Sequence, residues 1–316
     1  MTGKGSRFDR SFRYLTLAVA TSLLVLTIIY FYELYTRSSL TLGEGLPFVF
    51  GSTWDPVNNV FGVLPSLYGS LVTSAIALLI GVPVSVGVAV FLSELSPRQL
   101  KSPLSFVVEM LAAVPSVVYG LWGVFVLAPI LSAYLFPTLE RYLGFLPIFS
   151  CPDSVVPCQF YGFSMLSAGI VLAIMIIPIV SSISRDALQA VPNSQREAAY
   201  ALGATRSEVV NMSVLSYARS GIVAAVFLGF GRAFGETMAV TFLIGNTPLI
   251  SSTLLSPGYT LASLIANEFT EATTPVYVSA LIEAGLLLLV VSFTTSFLGR
   301  VLIRRFIRTR EAASFL

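Results

Sequence analysis

"SRDALQAVPNSQREAAYALGATRSEVVNMSVLSYARSG", residues 184–221, holds four of the chain's eighteen Lys and Arg residues and is flanked by two long apolar runs. Pro192 fits a first helical turn, where a missing N–H costs nothing. Ser194 and Glu197 stand at capping-box spacing. The helix predicted through "REAAYAL" meets Gly203, a residue suited to the left-handed turn that ends helices. Thr205 and Glu208 offer a second capping box before "VVNMSVLSY". The local signals agree on helix, tight turn, helix. Such a pair makes a docking peg, and the small side chains of Ala198 and Ala199 let another backbone come close.

Composition decides what the peg projects from. The chain has 316 residues, 55% hydrophobic and 11% charged, with mean hydropathy +0.86. Soluble domains carry roughly 25% charged residues, so this chain cannot clothe itself in polar surface and is a membrane protein. It has no histidine, which argues against an imidazole relay or a metalloenzyme. Six stretches are long enough to cross roughly 30 Å of hydrocarbon as helices: about 14–36, 66–93, 104–131, 163–183, 218–245 and 277–301. With these spans, fifteen Lys and Arg fall on one side, two on the other, and Arg232 inside. The positive-inside rule then predicts that both termini and the peg are cytoplasmic. The expected organisation is an anchor helix with an external segment (1–65), a five-helix core with the cytoplasmic loop 184–217 (66–303), and a basic tail (304–316).

Cys151 and Cys158 fall on the external side, where an oxidising space suggests a local disulfide. The Gly/Pro/aromatic segment 37–65 is expected to rest at the interface. "TLASLIANEFTEA" predicts a short amphipathic helix with Leu261, Leu264, Ile265 and Phe269 on one face and Glu268 and Glu271 beside it. Gly81, Pro83 and Gly87 in the second span and Pro115 in the third point equally to a transport path or to structural kinks. No GxxxxGK[ST] occurs, so any ATP chemistry belongs to a partner.

Two charges stand in "FLGFGRAFGETMAV", residues 227–240. Arg232 lies 13 residues beyond Arg219, about 20 Å along a helix, and arginine at that depth costs about 2.5–3.5 kcal/mol on insertion scales. On a continuous helix Glu236 lies one turn outward on the same face and can pair with it. Glu283 is a second possible partner. Gly231 and Gly235 form a GxxxG step that permits close helix contact. A purely structural ion pair is one reading. A polar path is the other, favoured because an apolar pair fixes helix register as stably.

"EAAYALGA", residues 197–204, resembles the EAA motif of ABC importer permeases, in which Glu-Ala-Ala is followed after three residues by Gly. The chain departs from that family at Leu215-Ser216, where Leu-Pro is usual, which bears on the end of the second loop helix. "GRAFGETMAVTFLIGN" together with "VPSVVYGLWG" (114–123) resembles the C-type permeases of phosphate-specific ABC importers, over roughly residues 60–305. The resemblance implies an all-α, six-span type I importer fold and a non-catalytic permease. Glu197, Ala198, Ala199 and Gly203 then couple it to an ATPase, and Arg232 and Glu236 line the phosphate path. Implied partners are an A-type permease, an ATPase dimer using ATP and Mg²⁺, and an external phosphate-binding protein, with no nucleic acid and no cofactor held by this chain. Permeases for sulfate or molybdate, and an ATP-independent carrier or channel, are the alternatives.

Overall fold

The computed structural model describes residues 7–43, 45–151 and 160–313. Six of its helices are long and apolar enough to cross a membrane. The element order is α1 (Arg7–Arg37), α2 (Leu64–Leu95), α3 (Arg98–Ala112), α4 (Ser116–Leu143), α5 (Met165–Gln189), α6 (Asn193–Ala201), α7 (Arg206–Phe234), α8 (Met238–Leu243), α9 (Leu261–Glu268) and α10 (Pro275–Ala313). Between α1 and α2 a two-residue antiparallel ladder pairs β1 (Trp54–Asp55) with β2 (Val60–Phe61).

The core is built on α2 and α5, the most extensive helix pair among the described residues. A Cβ on Gly81 would meet the Ile176 side chain at 2.8 Å, and one on Gly169 would meet Ile76 at 2.5 Å. These glycines bring the two helices together, so Gly81 is explained by packing rather than by a break, and α2 runs on through Pro83. Leu172, Ile176 and Val180 of α5 are fully buried between α2 and α7. Buried hydroxyls here bond back to their own helix: Ser70 Oγ donates to the Ser66 carbonyl at 2.9 Å and Thr73 Oγ1 to that of Gly69 at 2.8 Å. Such back-bonding satisfies these two hydroxyls, whereas the buried Ser74 and Ser184 hydroxyls of the same helices have no hydrogen-bond partner among the described residues.

Two spans differ from expectation. The stretch predicted as a span over 104–131 is divided: α3 is a separate amphipathic helix without a buried residue, and the crossing helix is α4, Ser116–Leu143. Pro115 is the cause. It takes the N-cap of α4 with φ −59° and ψ 140°, and it disfavours helical backbone in the residue before it. The predicted span 218–245 is divided as well. α7 starts early, at Arg206, and stops at Phe234; Gly235 leaves the helix, and α8 begins at Met238. Because Ser216 stands where a proline would stop the helix, the second loop helix runs without interruption into the span.

The described residues of the segment before α2 pack as a cap. Phe48, Phe61 and Val63 are buried against Tyr259, Leu261, Leu264, Tyr277 and Leu281. One carboxylate holds this cap together. Glu268 accepts from Trp54 Nε1 at 2.6 Å, from Tyr259 at 3.3 Å and from the Tyr277 hydroxyl. Burial pushes the Tyr259 hydroxyl up to about 12, so it remains a donor. The amphipathic helix is present as α9, capped by Thr260 and Ser263. Leu261 and Leu264 are buried, but Phe269, expected on the same face, is 52% exposed just beyond its end.

The ends of the helices sort into two sides. Residues 148–150, 164–166 and 251–268 meet through bonds such as Leu254 N–H to the Ile148 carbonyl (2.9 Å) and Met165 N–H to that of Ser256 (3.1 Å). Glu94, Leu188, Arg196 and Arg206 meet at the other side. Cys151 takes part in a disulfide; Cys158 lies outside the described residues.

Candidate functional site

The chemistry of the predicted peg is local. α6 opens on Pro192 as N-cap, two positions before the expected Ser194 cap, so the Ser194–Glu197 box does not form. At the other end the expectation holds: Gly203 has φ +84°, the left-handed conformation in which other residues are strained. Thr205 and Glu208 form their box, with the Thr205 N–H 2.7 Å from Glu208 Oε2. Glu197, Ala198 and Gly203 are exposed, and Ala199 is partly buried over Val209, Val214 and Leu188. Beside them stand apolar side chains open to solvent: Leu202 at 89% and Met212 at 73%. They rim a shallow hollow of about 310 Å³. Exposed apolar groups on a rigid, small-residue helix suit contact with another protein.

The peg is held by a pair that sequence reasoning missed. Arg196 Nη2 lies 2.8 Å and Nε 3.4 Å from the two carboxylate oxygens of Glu94, at the end of α2. The same guanidinium donates to the carbonyls of Leu188 (3.0 Å) and Val191. Nothing local links residues 102 positions apart.

Arg232 is on the last turn of α7 and Glu236 in the break that follows. The expected one-turn helical pairing is therefore corrected: no ion pair within 4 Å and no side-chain hydrogen bond joins them. Gly235 ends the helix between them, so they do not share a helical face. Glu283 is buried in α10 at 6% exposure. Arg232 is exposed and lines a cleft of about 590 Å³ between α5, α7 and α10, with Ile179, Phe227, Ser296 and Arg300 among its walls. Nothing lies within 4 Å of a Cβ placed on Gly231, so the GxxxG step faces open space within this chain.

The two stretches that carried the family resemblance pack on each other. α8, from "GETMAVTFL", seats against α4, from "VYGLWG": a Cβ on Gly120 would meet Phe242 at 2.5 Å, and one on Gly123 would meet Leu243 at 2.4 Å. Arg232 stands within Coulombic reach of Tyr119, whose hydroxyl donates to the Leu111 carbonyl at 2.9 Å across the Pro115 break. One side of the arrangement thus offers an exposed guanidinium in a cleft, with a carboxylate on the adjacent non-helical backbone. Such a pair of groups can bind an oxyanion and accept a hydrogen bond from it.

Comparison with known proteins places these features. Residues 81–308 match the family model of the binding-protein-dependent transport system inner membrane component. The chain is 45% identical over 307 residues to the phosphate transport system permease protein PstC of Xylella fastidiosa strain 9a5c, covering 96% of this chain and 93% of that protein. It is 46% identical over 266 residues to PstC of Haemophilus influenzae, covering 84% and 83% of the two chains. The fold is similar to that of a chain in the crystal structure of a bacterial alginate ABC transporter bound to its periplasmic protein, with TM-score 0.59, 14% identity and coverage of 94% and 96%.

Proposed function

We infer the function of this chain from its family: it belongs to the binding-protein-dependent transport system inner membrane components and, among them, to the phosphate transport system permease proteins. It is a multi-pass permease subunit of an ATP-driven phosphate importer, a transport component rather than a catalyst. The observation that carries this reading is the extent of the likeness, which runs through the peg and Arg232 alike.

The finer parts of the proposal rest on the site. The peg, with Glu197, Ala198, Ala199 and Gly203, docks into a cytoplasmic ATPase dimer that consumes ATP and Mg²⁺. The open face at Gly231 and α1, whose apolar window has no buried residue, leave room for an A-type permease, which makes the pair a heterodimer. An external binding protein delivers phosphate, and the complex sits in the inner membrane with both termini of this chain cytoplasmic. Arg232 meets the phosphate with its planar array of donors. Phosphate near neutral pH keeps an O–H, which Glu236 accepts. Sulfate has no such proton and meets only repulsion from the carboxylate.

Two measurements test this reading. Vesicles carrying the complete complex are expected to accumulate radiolabelled phosphate with ATP and to exclude sulfate. Sulfate entry at a comparable rate would overturn the substrate assignment. For orientation, a membrane-impermeant thiol reagent is expected to label Cys151 and Cys158 from the external side, and only after reduction. Labelling from the cytoplasmic side alone would reverse the topology.

A further inference from the structure

The peg is a nine-residue helix with no buried residue, bounded by Val191–Pro192 on one side and by the left-handed Gly203 on the other. Such a helix would swivel on its two joints unless something fixed its angle. A partner pushing on a swivelling peg moves little else. The structure contains one device that prevents this.

Arg196, in the first turn of α6, grips both oxygens of Glu94 and the carbonyls of Leu188 and Val191 at the end of α5. The side chains are 18% and 13% exposed, so water screens the pair weakly. From the other flank, Arg206 donates to the backbone carbonyl of Glu94. A single residue at the tip of α2 therefore holds both the helix before Gly203 and the helix after it. Glu94 lies in a π-helical turn, Phe91–Leu95, a widened form of backbone that recurs at functional positions. Ser213 Oγ closes the clamp by donating to the Gln195 carbonyl at 3.0 Å.

We propose that Glu94 and Arg196 form the joint through which movement of the docking helix is delivered to α2, and through its packing to α5. The proposal rests on the reading that α6 docks into an ATPase. Without the joint, displacement of α6 reaches the rest of the chain through its covalent ends, the Ser213–Gln195 bond and the packing of Ala199, none of which grips α2. With it, the push enters the central helix pair of the core, beside the cleft of Arg232. Both residues are positioning residues, since neither touches the transported ion. A guanidinium bound to two carboxylate oxygens fixes an angle as well as a distance, which a lysine ammonium does not.

The test uses the assembled complex. Glu94→Gln and Arg196→Lys are expected to retain the ATPase through purification, yet to transport at least about tenfold less phosphate per ATP hydrolysed, because breaking one side of a semi-buried pair forfeits more than a factor of ten. That ratio separates a joint from a merely structural contact, which would lower assembly and leave the ratio unchanged. A second variant guards against misfolding: Glu94→Cys with Arg196→Cys, joined by a short bifunctional thiol reagent. Phosphate moved per ATP is expected to rise on cross-linking of that sample. A normal ratio in Glu94→Gln with the ATPase bound, or no rise on cross-linking, overturns the joint alone. Failure of the ATPase to bind the unaltered chain overturns the docking reading, and the joint with it.

Discussion

Gly203→Trp is expected to insert and to pair with the proposed partner permease, but to lose ATPase binding by about 100-fold or more and to import no phosphate. The reasoning separates strain from collision. Gly203 sits at φ +84°, where an ordinary residue is strained by roughly 1–2 kcal/mol. Nothing lies within 4 Å of a Cβ at this position, so a larger side chain has room within the chain itself and the core is untouched. A Trp there stands out of the peg next to Leu202, on the surface proposed to enter the ATPase. A collision at the centre of such a contact costs on the order of 2–4 kcal/mol, the magnitude of a hot-spot loss. Gly203→Asn is the control, because asparagine tolerates the left-handed region and projects less; it retains most of the binding. Co-purification of the ATPase with each variant measures the difference. Wild-type binding and uptake by Gly203→Trp would remove the peg from the ATPase interface.

Arg232→Ala is expected to assemble normally and to import phosphate more than about 100-fold more slowly. The two effects come apart for a structural reason. Arg232 is exposed, and no ion pair within 4 Å joins it to Glu236, so its removal opens no cavity. Alanine is the best helix former, and loss of a charge near mid-membrane eases insertion by about 2.5–3.5 kcal/mol on translocon scales. Slower transport cannot then be assigned to instability. Arg232→Lys keeps the charge but not the planar fork, and is expected to transport poorly rather than normally. Glu236→Gln keeps a hydrogen-bond acceptor and repels other anions less, so it is expected to admit more sulfate relative to phosphate. Uptake by vesicles in which the binding protein's own selectivity is bypassed measures all three.

The sequence reveals these features to the extent that they are local. The Thr205–Glu208 box and the left-handed Gly203 depend on residues within one helical turn, and both are where the sequence puts them. Six apolar runs announce six spans. Apolarity, however, measures affinity for hydrocarbon and not continuity of backbone. The run from Gly221 to Gly245 conceals the end of α7 at Phe234, and with it the separation of Arg232 from Glu236. Pro115 signals its break plainly, but the apolar residues on both sides of it draw a single span across it. Contacts between distant residues have no local signature at all. Glu94 and Arg196 are 102 positions apart, and Trp54 and Glu268 are 214 apart. Each becomes a pair only when the packing of α2 and α5, or of α9 and α10, brings the ends together. The sequence marks Arg232 because an isolated charge in oil is costly wherever it lies.

The most direct test of the account exchanges the two charges, Arg232→Glu with Glu236→Arg, and measures ATP-driven phosphate uptake by the assembled complex. If the residues served each other as an ion pair, the exchange would restore it. The structure holds them apart, one on a helix in a cleft and one on the break beyond it, and the proposed path gives each its own task toward the anion. The account predicts an assembled complex that moves no phosphate, and uptake at the wild-type rate would contradict it.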